Sequence, residues 1–94
     1  MRFERDRLKD EENRTKHGVS FEDAQSIFFD EAAREFFDPD HSHGEDRFLL
    51  VGRSYSLRIL LICHCFRESD CVVRLISARR ATKSERAIYQ GGRG

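Results

Sequence analysis

The sequence predicts an α+β domain in which two helices come first, an antiparallel β-meander follows, and one helix closes the chain. Apolar residues recur at helical spacing up to about residue 29, the period changes to two from Arg47 onward, and a helix-capping signature returns at Thr82. Helices set apart from a run of strands mark α+β architecture rather than alternating α/β.

Asp6 to His17 is rich in Arg, Lys, Glu and Asn, with Glu12 and Lys16 at i,i+4 spacing and Gly18 as a C-terminal stop. Leu8 is its one apolar residue, so this helix is expected on the surface. Ser20 caps a second helix, over about residues 21–29, in which Phe21, Ala24, Ile27 and Phe28 share a face and Val19 staples onto Ala24. Glu35-Phe36-Phe37 reads as a brief strand. Asp38-Pro39-Asp40 ends it, because proline removes a backbone donor and aspartate favours turns, and residues 41–46 continue as loop.

Arg47 to Arg53 then alternates Phe48 and Leu50 against Leu49 and Val51. Leu57 to Phe66 holds the run Ile59-Leu60-Leu61-Ile62 expected of a central strand covered on both faces. After a hairpin turn at Arg67-Glu68-Ser69-Asp70, strict alternation along Cys71 to Arg79 puts Val73, Leu75, Ser77 and Arg79 on one face. Val72, Arg74, Ile76 and Ala78 fall on the other. Thr82-x-x-Glu85 opens the last helix as a capping box, with Ile88 and Tyr89 on its apolar side. The expected organisation is one domain over residues 1–90 and a frayed tail over 91–94.

With 94 residues, 38% apolar and 36% charged, the chain can build one small core and not two. No apolar run approaches the roughly 20 residues that span a bilayer, and Met1 to Asp6 does not resemble a signal peptide, so a cytoplasmic, non-membrane protein is expected. Cys63, Cys65 and Cys71 are an odd, clustered set. That pattern fits free thiols in a reducing compartment, packed as small core or interface residues. Net charge is zero, yet residues 1–46 carry 7 Lys+Arg against 14 Asp+Glu and residues 47–94 carry 10 against 3. Arginine dominates the basic set, and its planar fork suits phosphate. An anionic partner for the second half competes here with simple neutralisation between the halves.

Phosphate-loop, dinucleotide and zinc signatures are absent from the sequence, and no metal or cofactor is expected. Cys63-His64-Cys65 cannot chelate one ion on a strand, since His64 points away from both thiols. His64 reads first as a structural residue of a central strand and second as a proton carrier in a cleft. Asp40-His41-Ser42-His43 reads first as ordinary loop and second as a site for metal or acid/base work, and Lys16-His17 as cations favoured by a helix C-terminus, with a phosphate contact as the functional alternative. Arg79-Arg80, leaving a strand for a helix cap, is the most suggestive pair. With Arg47, Arg53, Arg58, Arg67 and Arg74 it would form a basic sheet surface of the kind that binds a nucleic-acid backbone.

Taken together, KHGVSFEDA at Lys16–Ala24, DPDHSHGEDRF at Asp38–Phe48, ISARRAT at Ile76–Thr82, and the spaced Glu85 and Tyr89 resemble the BrnT toxins of bacterial toxin–antitoxin modules. The match runs in order over nearly the whole chain. It departs at Arg5, near where the family's opening strand usually carries tryptophan, and at Cys63 and Cys65, where aliphatic or small polar residues are commoner.

The resemblance implies a fold like the RelE ribonuclease toxins, growth inhibition by RNA cleavage without a metal, and neutralisation by a BrnA-type antitoxin. The antitoxin would also carry the complex to operator DNA. Carried onto this sequence, Arg79 and Arg80 are the first candidates for stabilising transition-state charge, Lys16 and His17 for flanking the scissile phosphate, and Glu45 or His64 for carrying the proton. Arg47 is expected to orient Glu45, and Arg47, Arg53, Arg74 and Tyr89 to contact RNA. Glu85 reads as a helix-cap partner rather than a catalyst. The competing hypothesis is a noncatalytic module that binds the antitoxin or nucleic acid without cutting RNA.

Overall fold

The computed structural model describes residues 1–69 and 71–91 of the 94-residue chain. Five strands, β1 (Arg2–Glu4), β2 (Arg34–Phe37), β3 (Phe48–Arg53), β4 (Ile59–Arg67) and β5 (Val72–Arg80), form one sheet in the order β1-β5-β4-β3-β2. Three helices accompany it, α1 (Arg7–His17), α2 (Phe21–Gln25) and α3 (Lys83–Gly91). Strands β2 to β5 are the expected antiparallel meander. The addition is β1, which pairs parallel to β5 and is too short for an alternating pattern to announce it. Asp70 of the expected hairpin turn and residues 92–94 of the expected tail lie outside the described residues, while Gly91 is the last residue of α3.

Asp6 caps α1 by accepting from the Leu8 N–H at 2.9 Å, and Gly18 ends it at φ +68°, a left-handed conformation that glycine adopts without strain. The helix lies on the surface, yet Leu8, its one apolar residue, is exposed, and the residue that α1 buries is polar. Asn13 Nδ2 donates to the carbonyls of Val19 and Ala78 at 2.8 Å each, and its Oδ1 accepts from the Ala78 N–H at 3.0 Å. One side chain thus satisfies both backbone groups of Ala78, beyond the point where β1 stops pairing with β5.

The second helix is shorter than its apolar spacing suggests, passing into a 3₁₀ turn over Ser26–Phe29. Ser26 accounts for the change: its hydroxyl donates to the Asp23 carbonyl at 2.6 Å and accepts from the Tyr55 N–H at 2.8 Å, competing with helical bonding. Phe21, Ala24 and Ile27 pack with Leu50, Leu60, Ile62, Val73, Leu75 and Ala78, which defines an α2 face of the sheet. Gly52 in β3 allows the close approach of this layer, since a Cβ there would meet Ala33 Cβ at 3.0 Å. On the opposite face, Tyr89 of α3 packs against Val51 and Leu61.

A β-bulge in β5 decides how the two faces are populated. Cys63 pairs with Ser77 and His64 with Leu75, leaving Ile76 as the extra residue. Val73, Leu75 and Ala78 therefore all join the α2 face. The strict alternation expected for this strand fails there, and Ser77 and Arg79 turn to the α3 face instead of accompanying Val73 and Leu75. The cysteines are all free; Cys65 alone packs in the core, while Cys63 is half-buried and Cys71 exposed.

Candidate active site

Two adjoining depressions on the α3 face, about 410 and 350 Å³, share Arg47, Ile76 and Ser77 and form one continuous hollow. Lys16 and His17 line its smaller part from the last turn of α1. Asp38 and His41, at the 3₁₀ turn Pro39–His41, line the larger part with Cys63 of β4 and Arg79 of β5. Basic residues from three segments remote in sequence, Lys16 with His17, Arg47, and Arg79, thus converge.

Arg79 is held by a fork: Nη1 and Nη2 donate to the two Glu85 carboxylate oxygens at 2.7 and 2.9 Å, and Nη1 also reaches the Arg80 carbonyl at 3.2 Å. Two of its five N–H groups stay available to another acceptor. Glu85 doubles as the capping-box residue, accepting from the Thr82 N–H at 2.8 Å while Thr82 Oγ1 accepts from the Glu85 N–H at 3.2 Å. The Arg79 hydrogen bonds, opposed by burial and helped by Thr82, push the Glu85 carboxyl down to about 2. Arg47 contributes a different feature: its Nε is buried and has no hydrogen-bond partner. Such a donor suits an incoming phosphate oxygen. Burial pushes the Cys63 thiol up, with the charge of Arg47 countering only part of that, so a thiolate nucleophile is disfavoured.

His41 is the site residue that sequence reasoning places first in an ordinary loop, with acid/base work only as the second reading. Its Nδ1 lies 2.9 Å from Asp38 Oδ2, and Asp38 is buried. The turn is locked by three further bonds: Ser42 Oγ to the Asp38 carbonyl at 2.5 Å, the Arg47 N–H to Ser42 Oγ at 3.0 Å, and the Asp38 N–H to the Arg47 carbonyl at 2.8 Å. A carboxylate that accepts a hydrogen bond from the Nδ1–H of an imidazole leaves Nε2 as an accessible base. The signal in the sequence was the Asp-x-x-His spacing of Asp38-Pro39-Asp40-His41.

A family model described as the ribonuclease toxin BrnT of type II toxin–antitoxin systems matches residues 6–85. The chain belongs to the BrnT family. This BrnT match takes in every residue of the hollow named above, and a type II toxin–antitoxin family implies an antitoxin partner. The crystal structure of the Brucella abortus ribonuclease toxin BrnT has the same fold, with a TM-score of 0.66 over 88% of this chain and 99% of that one at 24% identity. No curated protein matches the sequence.

The remaining expected site residues lie elsewhere on this BrnT fold. Arg80 points away from Arg79 into a depression of about 230 Å³ that it lines with Arg58 and Arg86. Arg58 is itself tied to Asp23 at 3.3 Å. Glu45 pairs with Arg67 at 3.7 Å and not with Arg47, the partner expected for it. His64 lies on the α2 face, fully buried, with Nε2 2.9 Å from Glu35 Oε1 and with Phe28, Phe48 and Phe66 around it. Burial pulls its pKa down, and the Glu35 bond and charge recover only part.

Tyr89 is 4% exposed, with its hydroxyl donating to Asp30 Oδ2 at 2.7 Å, so it anchors α3 instead of presenting a ring to RNA. Arg53 and Arg74 line neither part of the hollow. Among the described residues no three His, Cys, Asp or Glu side chains cluster to hold a metal, and no helix is long and apolar enough to cross a membrane.

Proposed function

We propose that this BrnT-family chain is a metal-independent, RelE-like endoribonuclease that inhibits growth in the cytoplasm and is silenced by a BrnA-type antitoxin, which also carries the complex to operator DNA. The observation that carries the reading is the oriented Asp38–His41 pair facing Arg47 and Arg79 across one hollow. In this reaction His41 Nε2 removes the ribose 2′-hydroxyl proton, and the 2′-oxygen attacks the adjacent phosphorus. The P–O5′ bond breaks, giving a 2′,3′-cyclic phosphate and a 5′-hydroxyl. Arg47 and Arg79 face the charge that builds on the non-bridging oxygens, where aligned donors act most strongly. Lys16 and His17, on the opposite side of Arg47, hold the neighbouring phosphate and supply the proton to the leaving 5′-oxygen.

The sealed position of His64 and the pairing of Glu45 with Arg67 support His41 over those residues as the proton carrier. Arg80, Arg53 and Arg74 are then outlying contacts to the RNA backbone. A noncatalytic antitoxin-binding module is the second reading, and what favours it is that Glu85 already occupies the fork of Arg79.

Purified protein and a short RNA decide between them. Cleavage that leaves cyclic-phosphate ends, stops at a single 2′-deoxy substitution and falls at least a hundredfold in folded His41→Ala supports the ribonuclease. No cleavage by folded wild-type protein that still binds its antitoxin supports the second reading.

A further inference from the structure

The α2 face carries a surface of opposite chemistry. A chain of rings crosses it, starting at Phe29, which lies 6.3 Å from Phe3, itself 5.2 Å from Phe28. From Phe28 the chain continues through buried His64 at 5.0 Å and on to Phe66 and Phe48, and it ends at Phe37, 5.7 Å from Phe48. The middle of this strip is shielded and its ends are open, Phe29 being 63% exposed and Phe37 50%. Large exposed aromatics this closely connected are uncommon on a surface that meets only water.

Two clefts of about 530 and 280 Å³ open along the strip and share Glu35 and Phe66. The first also holds Asp46 and the second Asp30, and no Lys or Arg among the described residues lines either. Carboxylates in both clefts repel a nucleic-acid backbone. They attract a polypeptide segment that is apolar on one side and carries Lys or Arg on its flank, whose cations can also lie against the phenylalanine faces.

We infer that this strip is the docking surface for the antitoxin, engaged by a basic, amphipathic segment on the face opposite the hollow. The inference rests on the antitoxin partner in the functional reading above and not on RNA cleavage. Phe37 immediately precedes Asp38, on the edge strand β2, so a segment seated on the strip ends at the rim of the hollow beside the Asp38–His41 pair.

The test is titration of the full chain with the purified product of the adjacent antitoxin reading frame, with Phe29→Ser/Phe37→Ser and Asp46→Lys as variants. The double variant is expected to raise Kd at least a hundredfold and Asp46→Lys about tenfold, the latter with a shallower salt dependence. RNA cleavage should match wild type in both, and melting temperature should match in Asp46→Lys and fall by only a few degrees in the double variant as its ring contacts are lost. Unchanged antitoxin affinity in the folded double variant overturns the proposal. A wild-type dimer that the double variant dissolves, with antitoxin binding intact, also overturns it by making a second copy the occupant.

If the double variant does not fold, amide hydrogen exchange on wild-type protein replaces it. Antitoxin-induced protection around Phe29, Phe37 and Phe66 supports the proposal, and protection confined to α1 and α3 refutes it. Antitoxin binding is read without RNA, so failure of the ribonuclease reading leaves this result interpretable.

Discussion

The two faces of the sheet each hold a histidine 2.9 Å from a carboxylate, and the two pairs are inverted. In Asp38–His41 the carboxylate side chain is 11% exposed and the imidazole 66%; in Glu35–His64 the imidazole is 0% exposed and the carboxylate 44%. A buried carboxylate orients an imidazole that solvent and substrate can reach. A buried imidazole holds a surface carboxylate and packs against phenylalanines. The length of the hydrogen bond is the same, so access, and not the bond, separates a chemical group from a structural one.

The largest effect expected from this contrast is on RNA cleavage. His41→Ala should lower kcat by about 10²- to 10⁴-fold with little change in melting temperature, and Asp38→Asn should lower it less. His64→Ala should do the reverse, costing about 2–4 kcal/mol of stability through the cavity it leaves while sparing cleavage below the melting transition. Equal losses of cleavage in both histidine variants at matched folded fraction would break the comparison.

Asn13→Ala comes next, at about 2–3 kcal/mol measured by denaturant unfolding, because it leaves both backbone groups of Ala78 without partners. The pH dependence of stability separates the faces at lower amplitude. His64 is held below its ordinary 6.5, so the unfolded chain takes up the proton first and stability falls as pH drops below 6.5. His64→Gln should remove that decline. Glu85 sits at about 2 against an ordinary 4.5, so its contribution is present above 4.5 and is lost as pH falls from there toward 2. Allowing for the partial exposure of Arg79, that loss is about 1–2 kcal/mol, and Glu85→Gln should flatten this lower limb.

Much of the fold was legible because local chemistry and tertiary position agree. Asp6, Gly18, Ser20 and the Thr82–Glu85 box occupy the helix termini that these residue types favour, and the alternation of β3 sends Leu50 to one core cluster and Val51 to the other. The site was legible in part: Lys16, His17, Arg47 and Arg79 do meet, whereas Arg80, Glu45, His64 and Tyr89 point elsewhere. His41 was hidden by context, since Asp-Pro-Asp-His composition also describes an ordinary turn and nothing local says that Asp38 is buried.

The sequence by itself determined the element types, the division of charge between the two halves and the motifs that mark the family, because caps, periodicity and composition act over a few residues. The tertiary structure decided the rest. Pairing with β4 makes Ile76 a bulge, and that one extra residue sends Arg79 to the face opposite Leu75. Packing of β2 against β3 buries Asp38 and so aims His41. Register and burial arise from contacts between segments far apart along the chain, and a periodic pattern read along one strand cannot count a residue that only its partner leaves unpaired.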